Sequence, residues 1–127
     1  MADWTRITAP GLPEFPAFAH AVVAGPHIHV SGMLGLAGDG AGVVPGGVGP
    51  ETKRSFELVG AILGAAGATL ADVVKVSVYM TDLGEWDALN AAYLEIFGAR
   101  TPARIAVGCS DLLFGARVEF DCLALRP

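Results

Sequence analysis

The segment Asp72-Val73-Val74-Lys75-Val76-Ser77-Val78-Tyr79-Met80-Thr81, residues 72–81, decides how the rest of the chain is arranged. Its apolar residues alternate with residues that suit an exposed face: Val74, Val76, Val78 and Met80 against Lys75, Ser77 and Tyr79. This period of two, in β-branched residues, is typical of a strand with one buried face. On each side of it, apolar residues recur at helical spacing. The sequence therefore predicts a strand between two helices.

The helix before this strand is predicted to begin near Pro50 and to end at Gly67, because proline suits a first helical turn and glycine a helix end. Its apolar stripe is Phe56, Val59, Ile62 and Leu63. The helix after the strand is predicted to open at Asp82 or Gly84 and to close at Gly98. Its stripe is Trp86, Leu89, Tyr93, Ile96 and Phe97, which we interpret as core residues.

Two further pairs of strands are predicted at the ends of the chain. Residues 17–23 and His27–Met33 form a hairpin across Ala24-Gly25-Pro26, after an extended lead-in rich in proline. Residues 104–107 and 116–125 form the last two strands. The order β-β-α-β-α-β-β predicts one α+β domain over residues 1–127, with two helices on one face of a mixed sheet. Residues 35–49, rich in glycine but without a P-loop ending, are predicted to form a surface loop.

The composition limits the classes of partner. Apolar residues make up 53% of the 127 residues and charged residues 17%, with a mean hydropathy of +0.53, more apolar than an ordinary soluble domain. The uncharged run at residues 58–71 is too short to span a bilayer, so we expect the excess at subunit interfaces. A net charge of −5 without a basic run disfavours nucleic acid. The absence of a signal peptide pattern and of CxxC spacing predicts a cytoplasmic protein with reduced thiols.

Arg104 heads the otherwise apolar run Ile105-Ala106-Val107. A guanidinium in such a setting requires a carboxylate partner, since an unpaired charge there is costly. Glu119 shares a strand face with Arg117 and Asp121. If its strand lies beside that of Arg104, the two form a structural ion pair. The alternative is that Arg104 holds the carboxylate of a small ligand in a fork. The residue types leave both open.

Three other sets of residues are weaker candidates for a functional site. His27 and His29, with His20 on the preceding strand, lack an acidic partner at useful spacing, so a metal site is not favoured. Ser31 has the same parity as His29, but no nucleophile elbow accompanies it. We interpret Asn90 as a packing residue; the alternative is that it points into a neighbouring pocket.

The chain resembles the RidA/YjgF family of small imine deaminases over most of its length. The segments that carry the resemblance are Ala17-Phe18, Val30-Ser31-Gly32, Ala66-Gly67-Ala68-x-Leu70-x-Asp72-Val73-Val74-Lys75, Tyr79-Met80-Thr81-Asp82-Leu83, Leu89-Asn90-x-x-Tyr93, Pro102-Ala103-Arg104 and Val118-Glu119-Phe120-Asp121. The alanine-glycine-alanine segment and Pro102-Ala103-Arg104 are together specific. The spacing from the arginine to Val118-Glu119 matches without a gap.

The resemblance implies a chorismate-mutase-like fold of the bacillary type and a homotrimer with sites in clefts between subunits. It implies hydrolysis of short 2-imino or enamino acids to 2-keto acids and ammonia, without a metal or a cofactor. Arg104 would bind the substrate carboxylate and Glu119 would place water, together with a backbone carbonyl near Ala106. Ser31 and Asn90 would line the cleft.

The chain departs from the family pattern at several pocket positions. Phe18 stands where a tyrosine is usual, Met33 where glutamine is frequent, and Ile105 and Ala106 where small polar residues and cysteine are frequent. The segment Leu112-Leu113-Phe114-Gly115 lacks the usual proline and charged residues. These changes predict a more apolar pocket. They leave, as an alternative to the enzyme, a trimer that binds a small carboxylate or acts as a regulatory or interaction module. The net charge of −5 disfavours an endoribonuclease.

Overall fold

The alternating segment forms a strand in the interior of a six-stranded sheet. The computed structural model describes all residues, 1–127. Its strands are β1 Thr5–Ile7, β2 Ala21–Ala24, β3 His27–Met33, β4 Val73–Met80, β5 Ala103–Gly108 and β6 Val118–Leu125. The two α-helices are α1 Val48–Ala65 and α2 Trp86–Phe97. Neither of them combines the length and the apolarity that a membrane crossing requires.

The strand order is β1-β2-β3-β6-β4-β5, so β1 and β5 are the edges of the sheet. All neighbours are antiparallel except β4 and β5, which are parallel. In the register of the central strands, Val76 lies opposite Arg104 on one side and Cys122 on the other. Tyr79 lies opposite Glu119 and Val107. Because residues directly opposite each other share a face, these two rows lie on opposite faces of the sheet.

The core lies between the inner face of the sheet and the two helices. Val76, Val78 and Met80 on β4 are fully buried, and so are the α1 residues of the predicted stripe: Phe56, Val59, Ile62 and Leu63. Phe56 is the centre of an aromatic cluster, with its ring centroid 4.7 Å from Phe120 on β6 and 5.1 Å from Phe97 on α2. The 3.6-residue period of the helix and the two-residue period of the strand therefore meet in one core.

The outer face of the sheet is not covered by any helix of this chain. Ile105, Val107 and Leu125 on this face are 52%, 40% and 42% exposed. Apolar strand residues that face water cost free energy unless another molecule covers them. This exposed apolar face is where we expect the subunit interface that the composition predicts.

The predicted fold class is confirmed, with both helices on one face of a mixed sheet. The predicted helix ends are also confirmed: Gly67 and Gly98 have φ of 80° and 61°, which glycine adopts at a helix end without strain. One strand was not predicted, since β1 lies within the segment expected to be an extended lead-in. The second strand begins at Ala21 rather than at residue 17, because Phe15 and Phe18 close a turn first.

Candidate functional site

Arg104 projects from the inner face of β5 onto two aromatic rings of α2. Its Cζ atom lies 5.0 Å from the ring centroid of Trp86 and 4.9 Å from that of Tyr93. Trp86 and Tyr93 are seven residues apart, about two helical turns, so both rings face the same strand. A guanidinium over an aromatic face is stabilised by the ring quadrupole. The side chain is therefore held in place without a carboxylate.

No carboxylate of this chain pairs with Arg104. Arg54 and Arg117 form ion pairs with Glu57 and Glu85, whereas Arg104 forms neither an ion pair nor a side-chain hydrogen bond. Burial raises the pKa of Tyr93 to about 12, although the nearby guanidinium opposes the shift. The phenol is consequently neutral near pH 7 and leaves the arginine charge uncompensated.

The guanidinium opens into a shallow surface groove between α2 and the loop before β5. We call this the arginine groove; its lining residues are Asn90, Tyr93, Leu94, Thr101, Pro102 and Arg104. Asn90 lies one helical turn before Tyr93 and lines the same groove. An arginine fork with an amide beside it has the donors to hold a small carboxylate.

Glu119 occupies the outer face of the sheet, on β6. Its carboxylate lies against the backbone of Gly32, at an irregularity where the pairing of β3 with β6 shifts between Val30 and Met33. It has no hydrogen-bond or ion-pair partner in the chain. Burial raises the pKa of Glu119, and the neighbouring Asp121 carboxylate raises it further. A carboxylate of raised pKa with free lone pairs is suited to accept a proton from water.

A cavity of about 200 Å³ opens beside this carboxylate. We call it the glutamate pocket; its lining includes Phe18, Ser31, Met33, Leu36, Phe114 and Glu119. Phe18 stacks on Phe15 with ring centroids 5.1 Å apart. The Ser31 hydroxyl donates a hydrogen bond of 2.6 Å to the Ala19 carbonyl, so its proton is already engaged.

Of the two interpretations of Arg104, the structural ion pair with Glu119 is wrong, because the two residues do not meet within one subunit. Strand β4 lies between β5 and β6, so the two residues are not on neighbouring strands. Arg104 also shares the inner face with Val76, while Glu119 shares the outer face with Tyr79. One subunit therefore carries two separate polar centres, the arginine groove and the glutamate pocket.

The other predicted site residues divide between these centres. Phe18 and Ser31 line the glutamate pocket, and Asn90 lines the arginine groove. Asn90 is therefore a groove residue, and its interpretation as a packing residue is wrong. Ala106 lies on the inner face of β5, two residues after Arg104 and opposite Val78. Because β5 is an edge strand, part of its backbone has no strand partner within the subunit.

Sequence reasoning missed three contributors to the site. Trp86 was predicted in the core but is 41% exposed, because it forms the platform of Arg104 at the edge of the sheet. Its spacing of seven residues from Tyr93 was the only indication in the sequence that both rings face the same strand. His20, grouped with the metal candidates, accepts a hydrogen bond from the Ala9 amide at Nδ1, and its Nε2 lies 2.7 Å from the Pro13 carbonyl. It fixes the lead-in segment beside the glutamate pocket.

Gly32 is the third. A Cβ atom at this position would lie 2.5 Å from Oε2 of Glu119. Under the imine hydrolysis that the family resemblance implies, we expect Gly32→Ala to displace the carboxylate and to lower the catalytic rate by about tenfold or more, since misplacement of a reacting group by about 1 Å is costly. The fold should be little affected, because the displaced atom ends a flexible side chain.

The measurement is kcat with a 2-imino acid, the substrate class that the resemblance implies, accompanied by a thermal melt. Gly38→Ala is the matched control, since nothing lies within 4 Å of its added Cβ atom. If both variants keep the wild-type rate, the position of the Glu119 carboxylate does not matter for turnover.

Comparisons with known proteins point to one family. The endoribonuclease L-PSP family matches residues 12–126. A RutC family protein of Pyrococcus abyssi is 38% identical over 109 residues, which cover 86% of each chain. The protein named 2-iminobutanoate/2-iminopropanoate deaminase of Capra hircus is 36% identical, over 86% of this chain and 80% of that protein. The crystal structure of RidA from an Antarctic Psychrobacter species gives a TM-score of 0.88 at 30% identity, covering 95% of this chain and 98% of that one.

Proposed function

The chain belongs to the RidA/YjgF family, which its match to the endoribonuclease L-PSP family over residues 12–126 establishes, and we propose that it hydrolyses short 2-imino acids to 2-keto acids and ammonia. In this proposal the arginine groove of one subunit and the glutamate pocket of the next form one site. Related proteins named 2-iminobutanoate/2-iminopropanoate deaminase support the reaction class.

The observation that carries the proposal is the state of Arg104. It is half-buried, fixed by two aromatic rings and without an anionic partner in its own subunit. A partly desolvated guanidinium without an anionic partner is strongly stabilised by a ligand carboxylate, which it can bind with two parallel hydrogen bonds. Asn90 offers a further donor to the same ligand. The grip fixes the plane of a 2-imino acid and hence the direction of its electrophilic carbon.

The carbon–nitrogen bond is then broken by water. A water molecule held by Glu119, and by a free backbone carbonyl of β5 near Ala106, attacks the carbon of the protonated imine. Glu119 takes a proton from this water as the carbon–oxygen bond forms and returns it to the nitrogen. The carbon–nitrogen bond of the resulting protonated carbinolamine breaks while Glu119 takes the proton of its hydroxyl, which leaves a 2-keto acid and releases ammonia. The ammonia then takes up this proton as ammonium. A protonated imine is already electrophilic, so the step needs no cofactor.

A homotrimer would bring the two centres together. Arg104 and Glu119 face opposite sides of the sheet, so a single subunit does not present both to one small molecule. The uncovered apolar residues of the outer face, such as Ile105 and Val107, offer a surface for the neighbouring subunit. A cyclic assembly with heterologous contacts places a groove of one subunit against a pocket of the next at every interface.

The proposal is tested by supplying imines from an amino-acid oxidase and trapping them with semicarbazide. Wild-type protein should lower the yield of semicarbazone and raise that of 2-keto acid, at a rate proportional to its concentration. Unchanged semicarbazone at micromolar protein, with a well-folded sample, would refute the deaminase function.

The pH dependence should follow Glu119. Because its pKa is raised, the carboxylate needed as a base is lost at a higher pH than for an ordinary glutamate, and kcat/KM should fall there on acidification. Asp121→Asn removes the like charge, so this acid limb should move to lower pH, while the contribution of burial stays. Asp3→Asn, at the exposed amino terminus, is the control. An acid limb that stays in place or moves upward in Asp121→Asn would contradict the role of Glu119.

A binding function without turnover is the second candidate. The observation that favours it is that few polar groups are free beside Glu119. Phe18 has no hydroxyl, and the Ser31 hydroxyl already donates its hydrogen bond to the Ala19 carbonyl. A thermal-shift series with 2-keto acids at millimolar concentration distinguishes the two functions. Stabilisation without any imine hydrolysis would support the binding module.

A further inference from the structure

We infer that the glutamate pocket is a subsite for a large apolar side chain, and that the preferred substrates are 2-imino acids with branched aliphatic or benzyl side chains. This inference rests on the proposed function, because it assigns one substituent of the substrate to that site. It follows from the shape and lining of the pocket and from the position of Glu119 at its edge.

The reaction geometry directs the side chain towards the pocket. The carbon that water attacks carries three groups: the carboxylate, the nitrogen and the side chain. Arg104 of one subunit takes the carboxylate, and Glu119 of the next holds the water within hydrogen-bond reach of the same carbon. The side chain therefore lies within a few ångströms of Glu119. The cavity that Glu119 itself lines is where it fits.

The interior of this cavity is apolar and deeply buried. Its buried apolar lining residues are Met33, Leu34, Leu36 and Leu58, each at most 8% exposed. Apart from Glu119 at its edge, the polar side chains that border it are already bonded: Ser31 to the Ala19 carbonyl, and the His20 ring to Ala9 and Pro13. Water inside would find few partners, and an apolar group replaces it favourably.

The volume is larger than a small side chain requires. An apolar cavity of about 150 Å³ in another protein takes up a benzene ring. At about 200 Å³ the glutamate pocket has room for an isobutyl or a benzyl group, whereas a methyl or ethyl group would leave most of it empty. It remains below the roughly 300–1,000 Å³ of sites for drug-sized ligands, so it fits one side chain and not a cofactor.

The edge of the pocket is built around a strained residue. Phe114 has φ of 61°, a left-handed conformation that a bulky side chain rarely adopts, and it lines the pocket together with Phe18. Strain of this kind tends to occur at functional sites, where the surrounding structure holds the residue in place. Phe114 and Phe18 together give the pocket an aromatic entrance.

The test measures a preference between substrates. Imines of alanine, 2-aminobutyrate, leucine and phenylalanine are generated by an amino-acid oxidase at matched rates, and kcat/KM is obtained from semicarbazide trapping. We expect the leucine- and phenylalanine-derived imines to exceed the alanine-derived imine by at least about tenfold, the scale at which apolar pockets distinguish side chains. In parallel, the stabilisation of the protein by 4-methyl-2-oxopentanoate, phenylpyruvate and pyruvate is compared by thermal shift.

Variants test the pocket itself. Leu36→Phe fills the floor and should lower the ratio of leucine- to alanine-derived kcat/KM by at least about tenfold. Leu70→Phe is the matched control, because Leu70 borders a groove between α1 and α2 that lacks Glu119. If Leu36→Phe does not fold, Phe114→Gly serves instead: glycine accepts the left-handed backbone, and loss of the ring should lower the same ratio.

The outcomes separate this inference from the proposed function. A wild-type protein that hydrolyses the alanine-derived imine as well as or better than the larger ones keeps the deaminase function and overturns the subsite. A protein that hydrolyses none of them, yet is stabilised more by 4-methyl-2-oxopentanoate than by pyruvate, overturns the deaminase and supports the subsite. Absence of both turnover and stabilisation overturns both.

Discussion

Arg104→Ala will lower kcat/KM for imine hydrolysis by about two to four orders of magnitude, because it removes a fork of two charge-assisted hydrogen bonds worth roughly 1.5–3 kcal/mol each. No other cation lines the arginine groove to replace it. The variant should also lose its stabilisation by 2-keto acids, since the same carboxylate grip holds product and substrate. Both quantities are measured on the same preparation, by semicarbazide trapping and by thermal shift.

Two variants sharpen this result. Arg104→Lys keeps the charge but not the planar fork, so we expect it to recover only part of the loss. Arg100→Ala, four residues earlier in an exposed position, should behave as wild type. Wild-type turnover in a folded Arg104→Ala protein would show that the substrate carboxylate is held elsewhere.

Glu119→Gln will lower kcat by about two to four orders of magnitude and leave the binding of 2-keto acids largely intact, since general base catalysis contributes on that scale. Glutamine has the shape of glutamate but cannot take a proton from water. Its amide also fits the place beside Gly32. This pattern is the opposite of that expected for Arg104→Ala, in which binding is lost as well.

The measurement is kcat from a substrate titration, with the Kd of a 2-keto acid from calorimetry. Glu95→Gln is the control, because Glu95 is exposed and pairs only with Lys53. A Glu119→Gln protein with unimpaired kcat and weakened binding would assign this residue to substrate binding, contrary to the proposed role.

The strands and helices of the central region could be predicted because each carries its own period. Strand β4 and helices α1 and α2 combine alternation or a helical stripe with glycine ends, and the structure places them within a few residues of the prediction. Strand β1 could not be predicted, since Thr5–Ile7 is three residues long and is a strand only through its pairing with β2. Such pairing is decided by tertiary structure and not by the segment itself.

Arg104 and Glu119 could be singled out from the sequence as candidate site residues, but their arrangement could not be predicted. Parity within β6 shows that Glu119 and Asp121 share a face, but it does not show which face Arg104 takes on another strand. That depends on strand order and register, which put β4 between the two strands. The sequence therefore suggested an ion pair that the sheet forbids. The contact of Trp86 with Arg104 could not be predicted for a related reason, since the position of Trp86 on the helix equally suits a core residue.

A complementation experiment with mixed forms of the proposed trimer tests most directly whether the site is shared between subunits. Arg104→Ala and Glu119→Gln chains carrying different tags are co-expressed, and trimers that contain both are purified on the two tags in succession. If each site takes its arginine from one subunit and its glutamate from the next, about a third of the sites in every mixed trimer are intact, because a cyclic trimer has three equivalent heterologous interfaces. We predict that imine hydrolysis returns to about that fraction of the wild-type rate. Mixed trimers as inactive as either parent would contradict a site built from two subunits.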